Sequence, residues 1–222
     1  YQSDNTRFIN LEGQLVIPGL VDSHAHPGYI DVEQYGEISE TNEEDMLAAV
    51  RKYADEHPDD EWLRLCCWPI GLYVKGNQGP DKRVLDAVVP DRPLWFVSEA
   101  WHSGWLNSKA LETIGLDDDG EATGWVKEGA GWQHFTEQFP IEGAHKISHE
   151  ENMVTGLRLL SEAGVTTLYD AGNFGFEDLV YSFMAKLEKE GKLPVRYEGT
   201  YQIFTAERLH SAISEMKRYR EE

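Results

Sequence analysis

Pro18-Gly19-Leu20-Val21-Asp22-Ser23-His24-Ala25-His26 decides how this chain reads. Pro18-Gly19 breaks the run before it, residues 20–24 have the length and apolar start of a short strand, and Pro27-Gly28 ends it. On a strand, side chains at i and i+2 point to the same side, so His24 and His26 present two imidazoles to one point at the strand's C-terminal end. Neutral imidazole is a common ligand of Zn²⁺, with its nitrogen ~2.0–2.1 Å from the ion. An H-x-H pair also arises by chance on surfaces and in cores. Its weight here comes from the setting: an apolar strand after Pro-Gly, an acid two residues before the first histidine, and Pro-Gly after the second. Asp22 is expected in a supporting role, because metal-binding histidines hand their second N–H to an acceptor.

Outward from this strand the chain divides into recognisable elements. Upstream, Leu11-Glu12-Gly13 reads as a tight hairpin turn between extended segments 8–10 and 14–17, the end of a small β-unit. Downstream, Thr41-Asn42-Glu43-Glu44 reads as a capping box opening a helix whose apolar face is Met46, Leu47, Val50, Tyr53 and Ala54. Residues 62–68 and 93–97 are apolar runs of strand length, separated by a glycine-rich loop over 71–79 and a short helix capped by Asp81. Residues 107–114 read as a helix closed by Gly115, followed by an acidic turn. Ser148-His149-Glu150-Glu151 reads as a second capping box, for a helix with Met153, Val154, Leu157, Leu160 and Ala163 on one side and an end at Gly164. Strand 165–169, the turn Asp170-Ala171-Gly172, helix 176–190, strand 195–204 and helix 206–219 follow. This alternation predicts parallel βαβ units.

Composition removes several classes of function. The 222 residues carry 20 Lys+Arg against 40 Asp+Glu, a formal charge of −20. So acidic a chain repels phosphate backbones, and nucleic acid is excluded as a partner. A hydrophobic content of 41% with 11% aromatics is enough to build a core and too much for a disordered acidic chain. No stretch approaches the ~20 apolar residues that span a bilayer, and the first residues lack a basic-then-apolar pattern, so no membrane or export segment is expected and the compartment, cytoplasm or periplasm, stays open. The acidic runs 40–45, 55–61 and 117–121 read as solvated surface. Cys66 and Cys67 are adjacent, which suits neither a disulfide framework nor C-x₂₋₄-C metal spacing; they are expected to pack as small apolar groups in a strand.

The string Gly13-Gln14-Leu15-Val16-Ile17-Pro18-Gly19-Leu20-Val21-Asp22-Ser23-His24-Ala25-His26 resembles the first barrel strand of the amidohydrolase superfamily of metal-dependent hydrolases. Three further segments resemble the branch with a long insert after that strand, which includes N-substituted formamide deformylases and exoenzyme regulatory proteins. They are Trp101-His102-Ser103-Gly104-Trp105-Leu106-Asn107-Ser108-Lys109-Ala110-Leu111, Ala122-Thr123-Gly124-Trp125-Val126-Lys127-Glu128, and Ala163-Gly164-Val165-Thr166-Thr167-Leu168-Tyr169-Asp170. Together, in order and spacing, they cover nearly the whole chain.

The resemblance implies an α/β fold: the first strands of a (β/α)₈ barrel, a large α+β insert, and the tail of a small β-sandwich. The division would be 1–17 for the sandwich end, 18–30 for the first barrel strand, 31–147 for the insert and 148–222 for further βα units. It implies His24 and His26 as ligands of one or two divalent metal ions, with zinc foremost. It sets His102 and Glu128 near the substrate and Asp170 at the end of a second barrel-type strand, where barrel enzymes place functional groups. Each of these three has a plainer reading: a histidine donating to backbone in a Trp-rich core, a solvated or capping carboxylate, and a turn or helix-capping aspartate.

In that family a metal-bound water attacks a carbonyl carbon and a carboxylate moves the proton to the leaving nitrogen. The general-base aspartate, two more histidines and a bridging lysine or glutamate come from later strands and have no match after His26, so no catalytic residue is assigned in this chain. Three barrel-type strands, around Val21, Leu168 and Val195, cannot close an eight-stranded barrel. The expectation is therefore a piece of a metal-dependent amidohydrolase that cleaves a C–N bond in a small amide, formamide or cyclic amide. Alone it would bind metal weakly and catalyse nothing, unless another chain or a swapped copy completes the barrel in an oligomer. The competing reading is a non-catalytic binding or regulatory module built on the Trp-rich insert, with the H-x-H as a relic.

Overall fold

The computed structural model describes residues 3–29, 35–73, 79–116, 123–127, 143–173, 175–203 and 206–221. In chain order its elements are β1 (Leu20–Ala25), β2 (Gly36–Glu37), α1 (Glu43–Glu56), β3 (Leu63–Trp68), α2 (Lys82–Asp86), β4 (Leu94–Ser98), β5 (Ser103–Leu106), α3 (Ser108–Thr113), β6 (Trp125–Lys127), α4 (Gly143–Glu162), β7 (Val165–Asp170), α5 (Glu177–Lys189), β8 (Arg196–Glu198) and α6 (Ala206–Glu221). The chain is thus a mixed α/β protein. None of its helices, among the described residues, is long and apolar enough to cross a membrane.

Two sheets organise these elements. β1, β7 and β8 pair in that order as a parallel three-stranded sheet, so the strands expected around Val21, Leu168 and Val195 do lie side by side. The last is shorter than the predicted 195–204. Beyond Glu198 the hydrogen bonds leave the ladder: the Thr200 hydroxyl donates to the Asp170 carbonyl at 2.9 Å, and the Thr200 carbonyl accepts from the Tyr181 hydroxyl. Met153 and Leu157 of α4, Leu168 of β7, and Val180, Phe183, Met184 and Leu187 of α5 close a core on this sheet.

The second sheet has the order β2-β3-β4-β5-β6, parallel through β4 and antiparallel beyond it. On one face Leu63, Leu65, Trp68, Leu94, Phe96 and Trp105 meet Met46 and Val50 of α1 and Leu85 of α2. On the other, Trp95 and Val97 pack with Ala110 and Leu111 of α3. Sequence periodicity passes over β5 and β6 because strands of four and three residues are too short to display a period of two.

Four more sequence expectations are corrected. The α1 cap is Asn42, not Thr41: its Oδ1 accepts the Asp45 backbone N–H at 3.0 Å, and its side-chain Nδ2 donates to Asp45 Oδ2 at 2.7 Å. α4 opens at Gly143, so Ser148 lies inside it rather than capping it; its upstream residues have adequate helix propensity, and a capping-box string inside a longer helix has no orphan amides to satisfy. Val154 is 41% exposed, which narrows the apolar stripe of α4 to Met153 and Leu157 as its fully buried members. Finally, the turn at Glu12 and Gly13 forms, with φ 52° and 86° and Gln14 N–H donating to the Leu11 carbonyl at 2.9 Å, but residues 3–19 hold no strand. An isolated two-stranded hairpin is marginal in water, and Leu15, Val16 and Ile17 here are exposed.

Candidate metal centre

The parallel pairing of β1 and β7 builds the site. Ala25 lies opposite Asp170, and the Ala171 N–H donates to the Ala25 carbonyl at 2.8 Å, which joins the C-terminal ends of the two strands. His24, at the last turn of the β1 pleat, is exposed; His26, one residue past the strand, is half-buried. Their ring centroids stand 5.2 Å apart with the planes at 84°. Two imidazoles sharing one cation at ~2.0–2.1 Å per nitrogen place their ring centres about 5 Å apart, so the pair has the separation that common ligation requires.

The His26 ring is oriented by its partner. Its Nδ1 lies 2.9 Å from the carbonyl oxygen of Gly172, and a carbonyl only accepts, so Nδ1–H is the donor. This is the arrangement in which metal-binding histidines are oriented by a backbone carbonyl behind them. Asp22 serves the neighbouring histidine through its backbone: Oδ1 accepts the His24 N–H at 3.1 Å.

Gly172 is in turn fixed by Asp170. This carboxylate is fully buried, accepting the Gly172 N–H at Oδ1 (2.9 Å) and, at Oδ2, Asn173 Nδ2 (2.8 Å) and the Tyr197 hydroxyl. Its main function in the fold is that of a turn aspartate, and the turn it makes carries the carbonyl that holds His26. Gly172 has φ 134°, a conformation that side chains rarely adopt. Burial, then the nearby Asp170 charge, pushes the Tyr197 phenol well above its ordinary value, and the same causes push Tyr181 up to about 12. Both phenols therefore stay neutral donors. Gly28, after His26, is packed so closely that a Cβ there would meet Asn173 Oδ1 at 2.4 Å and Val180 Cγ2 at 2.8 Å. Asn173 is fully buried, and its Oδ1 has no hydrogen-bond partner among the described residues.

The structure thus brings His24, His26, Asp22 and Asp170 to one end of the three-stranded sheet. His102 belongs elsewhere, exposed on the connection between β4 and β5 of the five-stranded sheet, and Glu128 lies outside the described residues. Gly172, Asn173 and Tyr197 escaped the sequence reading. The Asp-x-Gly turn signalled a bend, but nothing local pairs its carbonyl with a histidine 146 positions away. Among the described residues no group of three or more His, Cys, Asp or Glu side chains could hold a metal ion.

The chain is similar to known proteins in sequence and in fold. The sequence profile of the amidohydrolase family matches residues 7–221. The exoenzymes regulatory protein of Pectobacterium carotovorum subsp. carotovorum is 25% identical over all of this chain and 51% of its own length. The N-substituted formamide deformylase of Arthrobacter pascens is 24% identical over 49% of this chain and 20% of its own length. The chain therefore spans about half, or less, of these curated relatives. In fold it is similar to the crystal structure of an uncharacterized metal-dependent hydrolase from Pyrococcus horikoshii OT3, with a TM-score of 0.51 at 18% identity over 89% of this chain and 38% of that one.

Proposed function

We propose that this chain, which belongs to the amidohydrolase family, supplies the first metal-binding strand of a hydrolase that cleaves a C–N bond in a small amide, formamide or cyclic amide. The observation that carries the reading is the His24–His26 pair at 5.2 Å, with His26 held by the Gly172 carbonyl so that Nε2 faces away from its hydrogen bond. A divalent ion such as Zn²⁺, when bound, supplies an activated water and polarises the carbonyl of the substrate. The residues of this chain orient and hold. His24 and His26 would ligate the ion, Asp22 fixes the backbone of His24, and Asp170 fixes the turn behind His26.

His102 and Glu128 are assigned to substrate contacts on resemblance. On the same ground, residues 1–17, 18–30, 31–147 and 148–222 are assigned as sandwich end, first barrel strand, insert and further βα units, with remaining strands supplied by more of the same protein or by an oligomer. The test is a hydrolysis assay on a panel of amides, formamides and cyclic amides, with the protein at the full length its gene encodes and loaded with Zn²⁺. Turnover abolished by His24→Ala and by His26→Ala is expected. Turnover of esters alone would overturn the C–N assignment, and undiminished turnover in both variants would overturn the metal assignment.

A further inference from the structure

β3 contains a second cluster of nucleophilic side chains, remote in sequence from the histidines. Adjacent residues on a strand should face opposite sides of the sheet. Cys66 and Cys67 do not: both pack on the Trp95 and Val97 face, while Trp68 returns to the Phe96 face. A bulge causes this. Cys66 opposes Val97 and Trp68 opposes Ser98, so Cys67 is an extra residue with no partner across the ladder, and it adopts φ 82°. A non-glycine residue held there is strained and persists only where its surroundings enforce it. Here Trp68 does so, its indole N–H donating to the Phe96 carbonyl at 2.9 Å and its own carbonyl accepting the Glu99 N–H at 3.0 Å. The outcome is that the two Sγ atoms lie 2.7 Å apart, both as free thiols, with Cys66 buried and Cys67 half-buried. Both cysteines pack against the apolar cluster within β3, as expected, Cys66 fully and Cys67 in part. The bulge gives Cys67 a different position.

We propose that Cys66 and Cys67 form a modification site, a dithiol set to close into a vicinal disulfide by exchange with a low-molecular-weight disulfide such as oxidised glutathione. The more exposed Cys67 attacks first: its thiolate bonds one sulfur of the oxidant and expels the other as a thiolate. Cys66 then gives up its proton and attacks Cys67 Sγ, expelling the second thiolate. The sum is two protein thiols and one disulfide giving one protein disulfide and two small thiols, so electrons and protons balance. Burial, then the hydrogen bond with Cys67, pushes the Cys66 thiol well above its ordinary value, which leaves the first attack to Cys67. Adjacent Cα atoms stand about 3.8 Å apart across a trans peptide, closer than ordinary disulfides permit, so the bridge is strained and readily reopened by thiols.

These are the chain's two cysteines, so intact mass reads the reaction directly. The folded chain is incubated with oxidised glutathione, and both the whole chain and its tryptic peptide 65–75 are weighed. A loss of about 2 Da, the two thiol hydrogens, is expected in the monomer, reversed by dithiothreitol. With Cys66→Ser a glutathione adduct should instead persist on Cys67. The proposal is overturned if the wild-type chain retains a stable glutathione adduct, forms disulfide-linked dimers, or keeps both thiols open to alkylation under conditions that oxidise the urea-unfolded chain.

Discussion

Asp170 supports the histidine pair through the turn that holds His26. Its carboxylate bonds the Gly172 N–H, Asn173 Nδ2 and the Tyr197 hydroxyl, and the Gly172 carbonyl then orients the His26 ring. Asp170→Asn keeps the shape but turns one acceptor into a donor facing other donors. It is expected to destabilise the chain by about 2 kcal/mol in urea unfolding, the scale of a buried hydrogen bond to a charged group. It should also weaken metal binding by at least about tenfold, as loss of a histidine's supporting partners does elsewhere. At this scale the two histidines were legible because i and i+2 spacing is a local rule. Their support was not: the Gly172 carbonyl and the Tyr197 hydroxyl arrive through strand pairing, and no local pattern encodes which carbonyl will meet which ring.

Among the elements, the sequence read best where short-range chemistry decides the outcome. Asp81 caps α2 by accepting from Arg83 N–H, and Asn107 caps α3 by accepting from Ala110 N–H at 2.9 Å, as their side chains suggest. The α1 cap was misplaced by one residue because Thr41 and Asn42 are both good caps, and only the reciprocal bonds with Asp45 distinguish them. Asn42→Ala should therefore lower the urea midpoint by an amount equivalent to about 1 kcal/mol with an unchanged slope, whereas Thr41→Ala should have little effect. The β-strands fared worse for a physical reason. β7 is recognisable by its β-branched run and β1 by its apolar start, but the lengths of β5, β6 and β8 depend on partners supplied by distant segments.

Over the whole molecule, one electrostatic behaviour follows from burial. Tyr53, Tyr73, Tyr181, Tyr197 and Tyr219 all have phenols raised above the ordinary value of 10.0, with burial the leading cause in each. A phenol raised on folding keeps its proton in the native chain after the unfolded chain has lost it. The unfolded state then binds fewer protons, so stability is full below pH 10 and falls as pH climbs from 10.0 to about 12, the window set by Tyr181. Urea midpoints across that range should decline together with the appearance of phenolate absorbance. A flat profile would mean that these rings are not held neutral by the fold.

The same scale holds the central claim, that a parallel sheet built from residues far apart in sequence presents His24 and His26 as a ligand pair. Calorimetric titration of the wild-type chain with Zn²⁺, beside His24→Ala and His26→Ala, tests it most directly. Binding by the wild type that falls at least about tenfold in each variant, with the far-ultraviolet circular dichroism of all three unchanged, is the expected result. Equal Zn²⁺ affinity in the wild type and both variants would contradict it.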